Sequence, residues 1–321
     1  MISNRVSPAG SSVTVVCPLC RFTLDWSGNV IFCNSCGAEF QWQRGFPDLI
    51  AGGRFDDVAD SGRSAYEELL SEHATTNYML PLFRRLTQKE GAPGVLSVGC
   101  GVGKDVDVLA RAGFDAYGID CGSRTDVWEQ RQQRDRLYLA NGKQLPFENE
   151  SFDIVYCGCV FPHVGVKDDT AELLPHYKEE RGQLAREMVR VLKPGGWIMA
   201  SSPNKLCPLD LFHGRAANCV VPRLNSPAHS FLLSFGDYQS LFLAAGCARF
   251  RALPVSGYWG FLRLKRHWKG KLLAFPVEAI FSLVSLEAFS WLRGSPLNPW
   301  LVMLIGRNSS LSSLESRHAW R

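Results

Sequence analysis

Three glycines at alternate positions, Gly99, Gly101 and Gly103, close the apolar run Val95-Leu96-Ser97-Val98 and open a helical pattern at Lys104. A strand that turns into a helix through such residues confines this part of the chain to the α/β class. The backbone reverses sharply where side chains are absent, at the carboxyl edge of a sheet where open α/β folds take their ligands. The spacing does not match a dinucleotide fingerprint, whose third glycine falls three positions after the second, because that position holds Lys104. Downstream, Val106, Val108, Leu109 and Ala110 give a short apolar helix face, and Phe114-Asp115-Ala116-Tyr117-Gly118-Ile119-Asp120 alternates as a strand ending on a carboxylate. Asp120 is therefore predicted to stand beside the glycine loop, where its two oxygens suit the hydroxyls of a ribose. Taken alone it reads better as a strand-end or capping aspartate.

Two later segments add to this pattern. Leu139 to Tyr156, containing Asn141-Gly142 and Leu145-Pro146-Phe147, is turn-rich and feeds an apolar strand. Arg186 to Ser201 is a helix stopped by Pro194-Gly195-Gly196 and followed by another apolar strand. With the glycine loop and the strand ending at Asp120, these segments span about residues 90 to 205 and resemble the class I S-adenosylmethionine-dependent methyltransferases, in the branch that methylates quinones and small molecules. The resemblance implies an α/β, Rossmann-like sheet of seven strands, the last antiparallel and inserted near the edge. It also implies S-adenosyl-L-methionine as methyl donor, held by Gly99, Gly101, Gly103, Asp120, Asn141 and Gly142. In that family an acidic residue commonly occupies the place of Asn141 and binds the adenine amino group; an amide oxygen can accept the same bond without charge. His163, just beyond the strand that ends near Cys157, is the best-placed general base because histidine titrates in the useful range. The family often carries a non-catalytic histidine there, so a pocket-shaping residue is the competing reading. His213 and His229 are weaker candidates.

Ahead of this domain stand two Cys-x-x-Cys knuckles, Cys17-Pro-Leu-Cys20 and Cys33-Asn-Ser-Cys36, with twelve residues between them. Two such pairs can surround one Zn²⁺ with four thiolates, a closed site and hence a structural one. With no apolar signal segment at Met1–Gly10 and seven further scattered cysteines, a reducing, cytoplasmic setting is expected rather than two disulfides. Residues 13–50 resemble the small N-terminal zinc ribbons that accompany several methyltransferases, fused or as activating subunits. So small a unit has little core, and metal binding would supply much of its folding free energy.

The expected organisation is a zinc ribbon over 13–50, a linker over 51–65, the methyltransferase domain over 66–308 and a tail over 309–321. Two insertions, about 202–236 and 255–299, exceed the minimal fold and are expected to build the acceptor pocket from C-terminal helical segments. The second holds a basic cluster, Arg263, Lys265, Arg266, Lys269 and Lys271, then an apolar run from Leu272 to Leu292 interrupted by Pro276, Glu278 and Glu287. Two carboxylates and a proline argue against a transmembrane span and for a pocket lid or an interfacial helix with peripheral membrane contact. The basic cluster suits phosphate, though such runs are more often solvated faces. A net charge of +4 is too mild to demand nucleic acid. The leading expectation is methyl transfer to an O, N or C acceptor on a small or lipid-like molecule. An RNA base methyltransferase is the alternative, and a non-catalytic zinc-containing partner subunit ranks last.

Overall fold

The computed structural model describes residues 13–51, 61–87, 91–167, 170–212, 223–261, 265 and 268–308. Most of the expected linker, His213, Arg263, Arg266 and the tail from 309 lie outside the described residues. The amino-terminal part forms four short strands, β1 (Leu24–Asp25), β2 (Ile31–Cys33), β3 (Glu39–Gln43) and β4 (Phe46–Asp48). A helix follows in three pieces: α1 (Ser61–Ala74), a π turn at Thr75–Met79 and α2 (Leu80–Leu86), in which Pro81 occupies the first turn.

The sheet domain then runs β5 (Gly94–Val98), α3 (Lys104–Arg111), β6 (Asp115–Asp120), β7 (Leu137–Leu139), β8 (Phe152–Gly158), α4 (Tyr177–Val191) and β9 (Leu192–Pro203). A two-stranded hairpin, β10 (Leu209–Asp210) and β11 (Arg223–Leu224), precedes α5 (Phe235–Ala244) and β12 (Cys247–Ala252). The chain closes with α6 (Trp268–Ser285), a 3-10 segment Glu287–Gly294 and β13 (Trp300–Arg307). The α5 amino terminus is fixed by a reciprocal cap: the Ser234 hydroxyl accepts from the Asp237 amide while the Asp237 carboxylate accepts from the Ser234 amide.

The main sheet is larger than expected, with eleven strands in the order β1-β2-β3-β4-β7-β6-β5-β8-β9-β13-β12 instead of seven. The span β7 to β12 alone has the expected pattern, parallel except for β13, which runs antiparallel between β9 and β12. The difference arises at β7. Its outer edge is covered by β4, which pairs in parallel through Asp48 and Leu139, and the Leu49 amide donates to the Leu139 carbonyl at 2.7 Å. An open edge presents unpaired amides and carbonyls, and the amino-terminal strands satisfy them within the same chain.

Buried on both faces, β5 feeds two cores. Leu96 and Val98 face the layer of α4 and α5, whereas Val95 faces α3, the interrupted helix and α6. Val15, Cys17, Ile31, Cys33, Phe40 and Leu49 join Leu184, Met188 and Phe147 in the first core, so the cysteine-bearing segment shares its hydrophobic interior with the sheet domain.

Candidate cofactor and acceptor site

The glycine loop joins β5 to α3 at the carboxyl edge of the sheet. Gly99, Gly101 and Gly103 have φ of +72°, +53° and +70°, a left-handed region that costs other L-residues about 1–2 kcal/mol each. At Gly99 space is also missing: a β-carbon would lie 2.5 Å from Val160 Cγ2. At Gly101 the nearest atom, Arg124 Cδ, is 3.4 Å away, so conformation and not room sets the requirement. The buried Trp128 indole donates to the Gly101 carbonyl at 2.7 Å and braces the turn.

Asp120, at the tip of β6, accepts the Gly101 amide on Oδ2 and the Gly122 amide on Oδ1, each at 2.8 Å. It thereby fixes the loop and the turn after β6, and each oxygen keeps a lone pair for a further donor. Asn141 uses its side-chain oxygen to accept the Lys143 amide at 3.0 Å, shaping the turn that carries Gly142. A β-carbon at Gly142 would meet Leu184 Cδ1 at 2.9 Å and Val98 Cγ1 at 3.1 Å. All six residues expected to bind cofactor border one cavity except Gly103, which caps α3 behind it.

That cavity has a volume of about 750 Å³, within the range of ligand pockets. α1 covers one side through Glu67, Leu70, Ser71 and Ala74. Three carboxylates clip this helix down: Glu67 pairs with Arg124 at 2.8 Å, Glu68 with Arg131 at 2.5 Å and Glu72 with Lys104 at 3.5 Å. On the floor, the buried Asp105 accepts the Ser97 hydroxyl at 2.7 Å and the Tyr156 hydroxyl at 2.5 Å. Burial pushes the Asp105 carboxyl up, against the opposing pull of those two donors. Replacing Glu67 by glutamine is expected to weaken nucleoside binding about two- to fivefold, the size of one part-exposed ion pair, and to make the affinity less salt-dependent. Titration calorimetry at two ionic strengths measures both.

Away from the loop the lining becomes aromatic. Phe212 stacks on Trp259 with centroids 4.8 Å apart, Trp300 meets both at 4.6 and 4.8 Å, and Tyr258 flanks Trp300 at 5.7 Å. The Tyr258 hydroxyl lies 2.7 Å from that of Ser201. The buried indole nitrogens of Trp259 and Trp300 have no hydrogen-bond partner among the described residues. His163 lines the same cavity from a 3-10 turn, its ring edge-on to Phe231 at 5.8 Å. His229 is not among the lining residues; its Nδ1 accepts the Phe231 amide at 3.4 Å.

The four cysteines of the knuckles converge, with all Sγ atoms within 4.8 Å of one another. Cys17 and Cys36 are 3.7 Å apart and Cys20 and Cys33 are 3.4 Å apart, close to the roughly 3.8 Å edge of a tetrahedron with Zn–S bonds of about 2.3 Å. Burial pushes the Cys17 thiol up to about 12; burial also acts on Cys33, but the amides of Cys36 and Ser35 outweigh it and bring that thiol to about 7. The two knuckles turn alike: the Arg21 amide donates to the Cys17 carbonyl and the Gly37 amide to that of Cys33, both at 2.9 Å, and both residues have positive φ. Arg21 reaches across to the sheet domain, donating to the Leu145 carbonyl and to Glu187 Oε2, each at 2.9 Å. Glu187 is buried on α4 and also accepts from Arg190 and the Leu145 amide, all at 2.8 Å.

The aromatic wall and the Asp105 floor were not marked by any sequence motif. Gly257-Tyr258-Trp259-Gly260-Phe261 carries the one local hint, aromatic residues packed between glycines inside the second insertion.

A parallel sheet, a glycine loop at its carboxyl edge, a strand-tip carboxylate and a deep cleft define an α/β nucleotide-cofactor domain. Residues 96–200 match the family model described as "Methyltransferase domain", and this part of the chain is a methyltransferase domain of the S-adenosylmethionine-dependent class. Similar curated proteins include the biotin biosynthesis bifunctional protein BioHC of Teredinibacter turnerae, 30% identical over 218 residues, covering 65% of this chain and 32% of that protein. The ubiquinone biosynthesis O-methyltransferase of Bordetella avium is 26% identical over 165 residues, covering 50% of this chain and 63% of that one. The chain spans about half the length, or less, of the first curated relatives it matches. Among solved structures, Haemonchus contortus phosphoethanolamine N-methyltransferase 2 in complex with S-adenosyl-L-methionine aligns with a TM-score of 0.44 at 13% identity, over 78% of this chain and 58% of that one.

Proposed function

We propose that the protein transfers a methyl group from S-adenosylmethionine to an oxygen, nitrogen or carbon nucleophile on a small or lipid-like molecule. The observation that carries this reading is the continuity of the cavity, from the glycine loop and Asp120 at one end to Phe212, Tyr258, Trp259 and Trp300 at the other. The cofactor supplies an activated methyl on a sulfonium, which leaves with the S–CH₃ electron pair remaining on sulfur as the acceptor bonds to carbon. The protein's work is alignment, which can contribute about 7–11 kcal/mol when two reactants are held as one. In this reading Asp120 accepts the ribose hydroxyls, while Gly99 and Gly101 let the backbone approach. Asn141 and Gly142 border the base, with the Asn141 oxygen serving both the Lys143 amide and the adenine amino group. The apolar wall excludes water and takes up the acceptor, and the indole N–H groups of Trp259 and Trp300 suit an oxygen on it.

For an acceptor that must lose a proton, His163 is the proposed base. His163→Gln should lower kcat/KM by about 10²–10⁴-fold and remove the acidic limb of the pH–rate profile, whose rise tracks loss of the imidazolium proton. A raised KM with the limb intact would reduce His163 to a shaping residue. We further propose that Cys17, Cys20, Cys33 and Cys36 hold one Zn²⁺ as a structural ion, since four thiolates leave no coordination position for a substrate.

The experiment that tests the main reading is transfer of labelled methyl from S-adenosylmethionine to fractions of a cell extract. Label entering organic-soluble or small-molecule fractions supports the proposal. Label confined to RNA would replace it with base methylation.

A further inference from the structure

One of the largest helices of the protein is apolar on the side turned to water. At about 100° per residue, Trp268, Leu272, Phe275, Ala279, Leu283 and Leu286 fall along one stripe of α6 and its end. Trp268 is 72% exposed, and Leu272 and Phe275 are each 67% exposed. The opposite side is the packed one: Ala274, Phe281 and Val284 are buried, and Val277 packs against the same core. Folding therefore consumes one apolar face and leaves a second. Of the fifteen large hydrophobic side chains exposed among the described residues, eight lie between Trp268 and Leu297, and Trp291 is 74% exposed. Scattered exposed leucines need no explanation, but a continuous stripe does.

Charge selects the occupant. Lys269 and Lys271, both exposed, project from the two flanks of the stripe near its amino-terminal end. No carboxylate lies on the stripe, and Glu278 at its margin pairs with Lys265. Tryptophan at its amino-terminal end, aliphatic and phenylalanine side chains beyond it and lysines at the margins are the composition of a helix lying in the headgroup plane of a bilayer. A protein groove would accept the apolar stripe but gives no reason for lysine on both flanks; an anionic lipid surface does. The face is also linked to the cavity. Trp300 touches Trp259, Trp259 touches Phe261 at 6.5 Å, and Phe261 touches Phe281 on the inner side of α6 at 6.1 Å. No single helix among the described residues is long and apolar enough to cross a membrane; Ala274–Ser285 and Glu287–Gly294 reach that length only as a pair bent by 113°.

We infer that the outward stripe of α6, with Trp291, docks the protein onto an anionic bilayer surface. Docking leaves α6 between the bilayer and the aromatic end of the cavity, so a lipid-like acceptor of the kind proposed above would lie one helix away from its pocket; because docking is measured without methyl transfer, it stands or falls separately. The test is flotation of the full chain with vesicles of phosphatidylcholine alone and of phosphatidylcholine mixed with phosphatidylglycerol. The protein should float with the mixed vesicles and far less with the neutral ones. Phe275→Glu and the paired Lys269→Glu, Lys271→Glu variant should each reduce the bound fraction by about tenfold while cofactor affinity stays that of the parent. Those side chains are solvent-exposed, and retained cofactor affinity certifies that the variants are folded. Failure of the parent to float with anionic vesicles overturns the inference, as does flotation insensitive to Phe275→Glu. A parent that sediments as a dimer and becomes monomeric on Phe275→Glu, without floating, would assign the stripe to a second copy of the chain instead.

Discussion

Removing the Asp120 carboxylate, as in Asp120→Ala, should cut affinity for S-adenosylmethionine by about a hundredfold or more. Hydrogen bonds to an ionised acceptor contribute about 1.5–3 kcal/mol each, and two ribose hydroxyls would be lost together. The variant also releases the Gly101 and Gly122 amides that Asp120 holds, so the loop loses its fixed shape. Gly99→Val should be at least as damaging, because it combines a left-handed φ with a β-carbon 2.5 Å from Val160. Gly101→Ala separates the two effects: there is room for the methyl, and the expected cost is only the backbone strain of about 1–2 kcal/mol. Titration calorimetry ranks the three. Wild-type affinity in both Asp120→Ala and Gly99→Val would remove the cofactor from this loop.

The second large effect is expected from the cysteines. Elemental analysis should find one zinc per chain, and Cys33→Ser should lose it. Structural zinc sites contribute about 10–16 kcal/mol of binding free energy at neutral pH, most of which is folding free energy of the surrounding segment. A freely appended ribbon would unfold alone. Here β4 pairs with β7, and Arg21 and Glu187 both hold Leu145, four residues beyond Asn141. The loss should therefore reach the Asn141 side of the cavity: the melting temperature is expected to fall by about 10 °C, and cofactor affinity to fall with it. Full cofactor affinity in a zinc-free Cys33→Ser protein would show that the two parts are energetically independent. Iron in place of zinc would refute the metal assignment.

What could be read from the chain follows from the range of the interactions concerned. Gly99, Gly101 and Gly103 were legible because a left-handed backbone demands glycine wherever it occurs, and the two knuckles because their turns are local. The eleven-stranded sheet was not, since it depends on β4 meeting the edge of β7 across ninety residues of sequence, through a pairing that no periodicity encodes. The aromatic wall was hidden for the same reason: Phe212, Trp259 and Trp300 come from three separate segments. Asp105 stands in the first turn of α3, where an acidic residue is ordinary, and only the fold turns it inward onto Ser97 and Tyr156.

The two cysteine knuckles are near copies that end differently, and that difference divides labour between them. Gly37 makes its left-handed turn without strain and has no side chain with which to reach further. Arg21, at φ +67°, accepts strain at the equivalent position and in return spans to Leu145 and Glu187. Exchanging Arg21 for glycine would thus improve the ribbon as an isolated object while loosening it from its neighbour. The best sequence for the part and the best sequence for the whole diverge at this one residue, so a ribbon optimised by itself and grafted back would hold its metal well and its partner poorly.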